Sequence, residues 1–129
     1  MAPTVLELSS EALKKYRPLE AIRRRRRKDG MEVAKRRRKA RLVARKAATL
    51  LKDEYGAKKV YVFGSLARYR GFSLWSDVDI AVSGIRPERF FEAVGAVIGL
   101  SSEFKIDLVD LESCPAAMQR SIKATGREV

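Results

Sequence analysis

Two carboxylates stand at i and i+2 in the run Asp77-Val78-Asp79-Ile80-Ala81-Val82. Side chains alternate along a strand, so this spacing puts Asp77 and Asp79 on one face and Val78, Ile80 and Val82 on the other. Adjacent carboxylates repel unless a cation lies between them, and Mg²⁺ favours oxygen ligands of this kind. The competing interpretation is a solvated strand start. A further carboxylate, Asp107, sits inside the apolar run Ile106-Asp107-Leu108-Val109, where an isolated buried charge would be costly. Lys105, Asp107 and Val109 share a face, so Asp110 points away and only one of the two acids can join Asp77 and Asp79. Upstream, Val62-Phe63 runs into Gly64-Ser65 and then Leu66-Ala67-Arg68. A turn there offers backbone N–H groups, a small hydroxyl and a cation, which together suit a polyphosphate. Ordinary strand-end turns use the same residues.

The elements that must hold these groups follow from periodicity. Residues 9–28 predict a first helix, with Ser9 or Ser10 as cap and Leu13, Tyr16, Leu19 and Ile22 at helical spacing. Pro18 either kinks that helix or opens a new one. Asp29-Gly30 predicts a break. A second helix is expected from about Met31 to Tyr55, with Val33, Ala40, Val43, Ala47, Leu50 and Leu51 on one stripe and Gly56 ending it. Strands are expected at 58–63, 77–83 and 104–111, from their β-branched and aromatic content. Residues 66–76 read as a loop or short helix, residues 87–100 as a helix, and Pro115 opens a short terminal helix closed around Gly126. The order predicts an α/β (α+β) fold: a small mixed sheet flanked by helices, with a basic helical N-terminal extension over 1–30 and a domain over 31–129.

Composition excludes much. The chain has 129 residues and no His, which removes Ser-His-Asp triads, His-ligated zinc and imidazole acid/base chemistry. Its length predicts one domain, with no room for a second that binds substrate. A single cysteine, Cys114, forms no internal disulfide and points to a reducing compartment. The apolar runs are far shorter than the ~20 residues of a membrane helix, and the first residues lack a signal-peptide pattern. A cytoplasmic protein is expected. The formal net charge is +12, unevenly spread. Residues 14–46 hold 17 of the 28 basic residues and only three acids, a net of +14, leaving −2 elsewhere. A basic arm on a nearly neutral body suggests a polyanionic or acidic partner.

Together, in this order, Val62-Phe63-Gly64-Ser65-Leu66-Ala67-Arg68, Ser76-Asp77-Val78-Asp79-Ile80 and Ile106-Asp107-Leu108-Val109 resemble the nucleotidyltransferase superfamily related to DNA polymerase β. More narrowly, they resemble the minimal nucleotidyltransferases that serve as antitoxins beside HEPN-domain toxins. The resemblance covers roughly residues 31–129, including Arg86-Pro87-Glu88 at a helix start. It implies a polymerase β-like fold, with Gly64 and Ser65 holding a triphosphate and Arg68 as the basic residue after the turn. It implies that Asp77 and Asp79 bind two Mg²⁺ ions, and that Asp107 completes one metal site and helps activate the acceptor hydroxyl. One departure is that Tyr69-Arg70-Gly71 stands where the family often has Gly directly after the Arg. Nucleotidyl transfer of this type needs no His.

About 18 residues follow the third strand, so the acceptor must come from another chain or a homodimer partner. The resemblance implies a HEPN ribonuclease toxin, AMP-modified on a tyrosine hydroxyl, with ATP as donor. The basic arm has three readings: nucleic-acid binding through 14–46, docking on an acidic surface of a toxin, or a solvated helix. Its near lack of acids weakens the last, because solvated helices interleave both signs at i, i+4. The rival functions are an antitoxin that acts by binding alone, and a nucleic-acid-binding or RNA-modifying protein led by the arm.

Overall fold

The computed structural model describes residues 18–68 and 70–129. The helical turns expected at 9–17, with Lys14, Lys15 and Arg17, lie outside the described residues, as does Tyr69. The first helix, α1 (Pro18–Tyr55), is 38 residues long. Pro18 opens it, at a position where its missing N–H has no partner to lose. The expected break at Asp29-Gly30 does not occur, and α1 runs straight through. Gly30 does not adopt a positive φ, and one glycine costs only ~1 kcal/mol among the helix formers around it. Gly56, at φ +70°, ends the helix, and the Ala57 N–H reaches back 3.0 Å to the Leu51 carbonyl.

Two compact units, residues 1–32 and 33–129, divide the chain. In the described part of the first, every side chain from Arg23 to Lys28 is exposed, and Glu20 pairs with Arg24 at 3.9 Å.

The second unit is built on a sheet of four strands: β1 (Lys59–Phe63), β2 (Val78–Ser83), β3 (Ile106–Asp110) and β4 (Arg127–Glu128), in the order β3-β2-β1-β4. β1 is antiparallel to both β2 and β4, whereas β2 and β3 are parallel. Helix α2 (Pro87–Ile98) makes the β2–β3 crossover, and α3 (Ala116–Thr125) follows β3. The mixed sheet and flanking helices match the expected class. Strand ends are one or two residues shorter than periodicity predicts, as at Ile106–Asp110 against 104–111.

Alternation sorts the sheet into two faces. Val60, Val62, Val78, Ile80, Val82 and Ile106 form one buried face, in a single cluster with Ala40, Ala44, Ala47 and Leu51 of α1 and Ala93 and Val97 of α2. The buried stripe of α1 lies in its C-terminal half, where Ala40, Ala44, Ala47, Ala48 and Leu51 are covered. The other face has a thinner cover: Ala81, Leu111 and Ile122 are buried there, with Tyr61, Phe63, Val109 and Cys114 packed partly around them. β4 was not foreseen. Two charged residues carry no strand pattern, and pairing with Tyr61 and Val62 alone places them. Among the described residues, no helix is long and apolar enough to cross a membrane.

Candidate active site

Sheet register brings the predicted residues to one end of the sheet. In the parallel ladder Asp79 stands opposite Asp107, and in the antiparallel ladder Phe63 stands opposite Asp79. Directly paired residues share a face, so Asp79 and Asp107 both lie on the thinly covered side with Tyr61, Phe63 and Val109. Asp77 precedes β2 by one residue, just outside the strand that was expected to include it.

β1 ends in a 3-10 turn, Gly64–Leu66. Gly64 has φ +67°, and a Cβ placed there would strike the Asp79 carboxylate, with Cγ only 3.3 Å away. The glycine is required both for the turn and for the acid beneath it. Ser65 follows at the turn, half-buried, and its hydroxyl has no hydrogen-bond partner among the described residues. Arg68 is exposed immediately after.

Electrostatics tie these groups together. Burial lifts the Asp79 carboxyl above the usual carboxylate range, and the negative charges of Asp107 and Asp77 lift it further, while Lys105 and Arg68 pull it down. Lys105 Nζ lies 3.9 Å from Asp107 Oδ1. Asp79 thus feels the repulsion of two acids, partly offset by two nearby cations. Among the described residues, no three Asp, Glu, His or Cys side chains are grouped so that together they could hold a metal ion. Asp110 faces elsewhere, as alternation requires. Its oxygens accept the Glu112 N–H and the Ser113 hydroxyl, each at 3.0 Å, and so shape the turn after β3.

Part of the basic run at 14–46 packs against the body of the domain. Arg36, Arg37 and Lys39 are not solvent decoration. Arg36 donates from Nη2 to the Ser76 carbonyl at 3.2 Å, and its guanidinium lies 4.3 Å from the Phe104 ring centroid. Arg37 donates to the Arg68 carbonyl and lies 5.9 Å from the Phe72 centroid. Lys39 meets Glu103 at 3.5 Å. Ser76 precedes Asp77, and Phe104 precedes Lys105, whose carbonyl accepts the Val78 N–H at 2.9 Å. Arg36 therefore straps both segments that lead into the acids. The signal was present: Arg36 and Arg37 sit one helical turn before Ala40 and share its stripe, but the charge run masked that periodicity.

Arg36→Met, which keeps the apolar stem, is expected to cost about 1–2 kcal/mol through the lost carbonyl bond and ring contact. Hydrogen exchange should then quicken at the Ser76 and Val78 amides and stay unchanged in α2.

Comparisons with known proteins identify the fold. The family model described as polymerase beta nucleotidyltransferase matches residues 45–129. No curated protein sequence matches the chain. Among solved structures, a tri-AMPylated Shewanella oneidensis HEPN toxin in complex with an MNT antitoxin is 25% identical at TM-score 0.52, covering 69% of this chain and 70% of that one. A toxin–antitoxin crystal structure with AMP-PNP is also 25% identical, at TM-score 0.52, over 66% of this chain and 70% of that one. A mutant MntA–HpeT toxin–antitoxin complex is 25% identical at TM-score 0.54, over 66% and 69% respectively.

Proposed function

The chain belongs to the polymerase beta nucleotidyltransferase family, and on that premise we propose that it transfers AMP from ATP to a hydroxyl of a HEPN-type toxin and so neutralises it. The observation that carries this reading is the pairing of Asp79 with Asp107 beneath the Gly64 turn. The toxin partner is supported by relatives of known structure, one holding a tri-AMPylated HEPN toxin and another holding AMP-PNP. The proposed setting is the cytoplasm, with residues 31–129 as the catalytic domain and 1–30 as an appended basic arm.

The donor chemistry of the acids fits Mg²⁺. They offer only hard oxygen donors, and Asp79 is penalised for its charge when no cation balances its neighbours. Asp77, Asp79 and Asp107 would hold two such ions, which when bound supply Lewis-acid stabilisation of the attacking and leaving oxygens. The chain's own groups do the rest. Gly64 and Ser65 present a backbone N–H and a free hydroxyl to the triphosphate, and Arg68 neutralises part of its charge. Asp107 takes up the proton of the acceptor hydroxyl on a carboxylate oxygen. The acceptor oxygen forms a bond to the α-phosphorus, the α–β anhydride breaks, and pyrophosphate leaves.

The acceptor must dock beside this site, and the loop before Asp77 presents the means. The Ser73 N–H donates to Ser76 Oγ at 2.9 Å and the Ser76 N–H to the Ser73 carbonyl at 3.3 Å, a tight turn with Leu74 and Trp75 at its tip. Trp75 is 89% exposed. An exposed tryptophan on a hydrogen-bonded turn is the type of side chain that anchors protein interfaces. Trp75→Ala is expected to weaken toxin binding at least ~10-fold in calorimetry, with Tm unchanged.

The reaction is tested by incubating the protein with ATP labelled at the α-phosphate, Mg²⁺ and the purified product of the neighbouring gene, if it is a HEPN protein. Label should appear on the toxin and vanish with Asp77→Asn or Asp79→Asn. No label, or label unchanged in those variants, overturns the enzymatic reading; rescue of cells by Asp79→Asn would favour an antitoxin that acts by binding alone. A second reading concerns the arm. Arg23 to Lys28 are all exposed, and Arg24 pairs with Glu20; the excess of exposed positive charge favours a nucleic-acid or acidic protein surface. Affinity falling steeply with salt identifies the former.

A further inference from the structure

A second concave site lies apart from the acids. Between α1, the 3-10 turn and β4 is a cavity of about 580 Å³, floored by Val62, Leu66 and Val129 and rimmed by Arg41, Arg45 and Arg127. Its volume is in the range of small-molecule sites. Val62 belongs to the helix-packed face of the sheet, opposite the face that carries Asp79 and Asp107.

None of the three guanidinium groups makes a hydrogen bond or ion pair among the described residues. Arg41 and Arg45 are like charges at i and i+4, which disfavours a helix unless something anionic lies between them. Arg127 is brought to the same opening by the pairing of β4 with Val62. One acid, Glu128, lines the cavity, so the rim keeps a net positive charge. Three planar donor forks around an apolar floor match one ligand chemistry: a phosphate attached to a flat, weakly polar body. A free phosphate would leave the floor uncovered, and an apolar molecule would leave the guanidinium groups unanswered.

We propose that this cavity is a second, non-catalytic site for a nucleotide-sized organic phosphate, with the phosphate on Arg41, Arg45 and Arg127 and the ring system on Val62, Leu66 and Val129. Leu66 is the last residue of the turn that Gly64 begins, so an occupant bears on the same turn that roofs Asp79.

The test is methyl NMR of the full chain in EDTA, titrated with AMP and, separately, with inorganic phosphate. AMP should shift the Val62, Leu66 and Val129 methyls saturably, at least ~10-fold more tightly than phosphate. Arg45→Gln/Arg127→Gln should weaken AMP at least ~10-fold, about the worth of one charge-assisted hydrogen bond. Glu128→Gln, which removes a repelling charge, should tighten it. Equal midpoints for AMP and phosphate, shifts confined to Val109 on the opposite face, or an arginine variant that titrates like the wild type would each overturn the proposal.

Discussion

Asp79→Asn is expected to abolish nucleotide transfer, by roughly 10³-fold or more, while raising the Tm of the Mg²⁺-free protein at neutral pH. The two effects have one cause. The Asp79 carboxyl is pushed upward first by burial and then by the charges of Asp107 and Asp77. A carboxyl whose folded pKa is raised binds its proton more tightly in the native state than in the unfolded chain. Its contribution to stability is whole below the ordinary carboxylate pKa and is lost as pH rises through the raised folded value. At neutral pH the ionised group is a liability, and the neutral amide removes it, for a gain of roughly 1–3 °C. The same charge is what a divalent cation requires. Wild-type Tm should therefore climb on adding Mg²⁺, more so as pH rises above the carboxylate range, and the Asn variant should respond weakly. Melts at several pH values with and without Mg²⁺ check this. A Tm that falls on Asn substitution would contradict the electrostatic reading of the site.

Gly64→Ala is expected to damage fold and site together. The alanine must adopt φ near +67°, at about 1–2 kcal/mol, and its methyl must displace the Asp79 carboxylate. A Tm loss of roughly 5–10 °C follows for a domain of this size, with transfer reduced at least ~100-fold because Asp79 leaves its register with Asp107. Gly64→Ala/Asp79→Ala separates the two costs. With no carboxylate to strike, the double variant should be more stable than the sum of the two single-variant effects, a non-additivity expected for groups in contact. Strict additivity would show that the turn does not press on the acid.

The strands were legible because Val60 to Phe63, Val78 to Val82 and Ile106 to Val109 are β-branched or aromatic runs that few other conformations accommodate. The acids were legible because Asp107 interrupts such a run and Asp77-x-Asp79 precedes one. Their approach was not, since it depends on which strands pair and in what register; alternation fixes only the face each acid occupies. Gly30 shows a local signal overridden by its neighbours, for a turn-forming dipeptide broke nothing in a stretch rich in helix formers. Arg36 and Arg37 show the opposite error. A run of five basic residues reads as solvent-facing, yet the helical phase set by Ala40 and Ala44 already directed two of them inward.

That strap has a consequence for where the domain begins. The segment shared with the family starts at Arg45, nine residues after Arg36, and it also omits Ala40 and Ala44 of the core. A fragment trimmed to the shared segment would keep all three acids and lose the guanidinium that ties Ser76 to Phe104. The minimal autonomous unit of this protein is thus wider than its ancestry-defined part, and any excised or transplanted version should start no later than Val33.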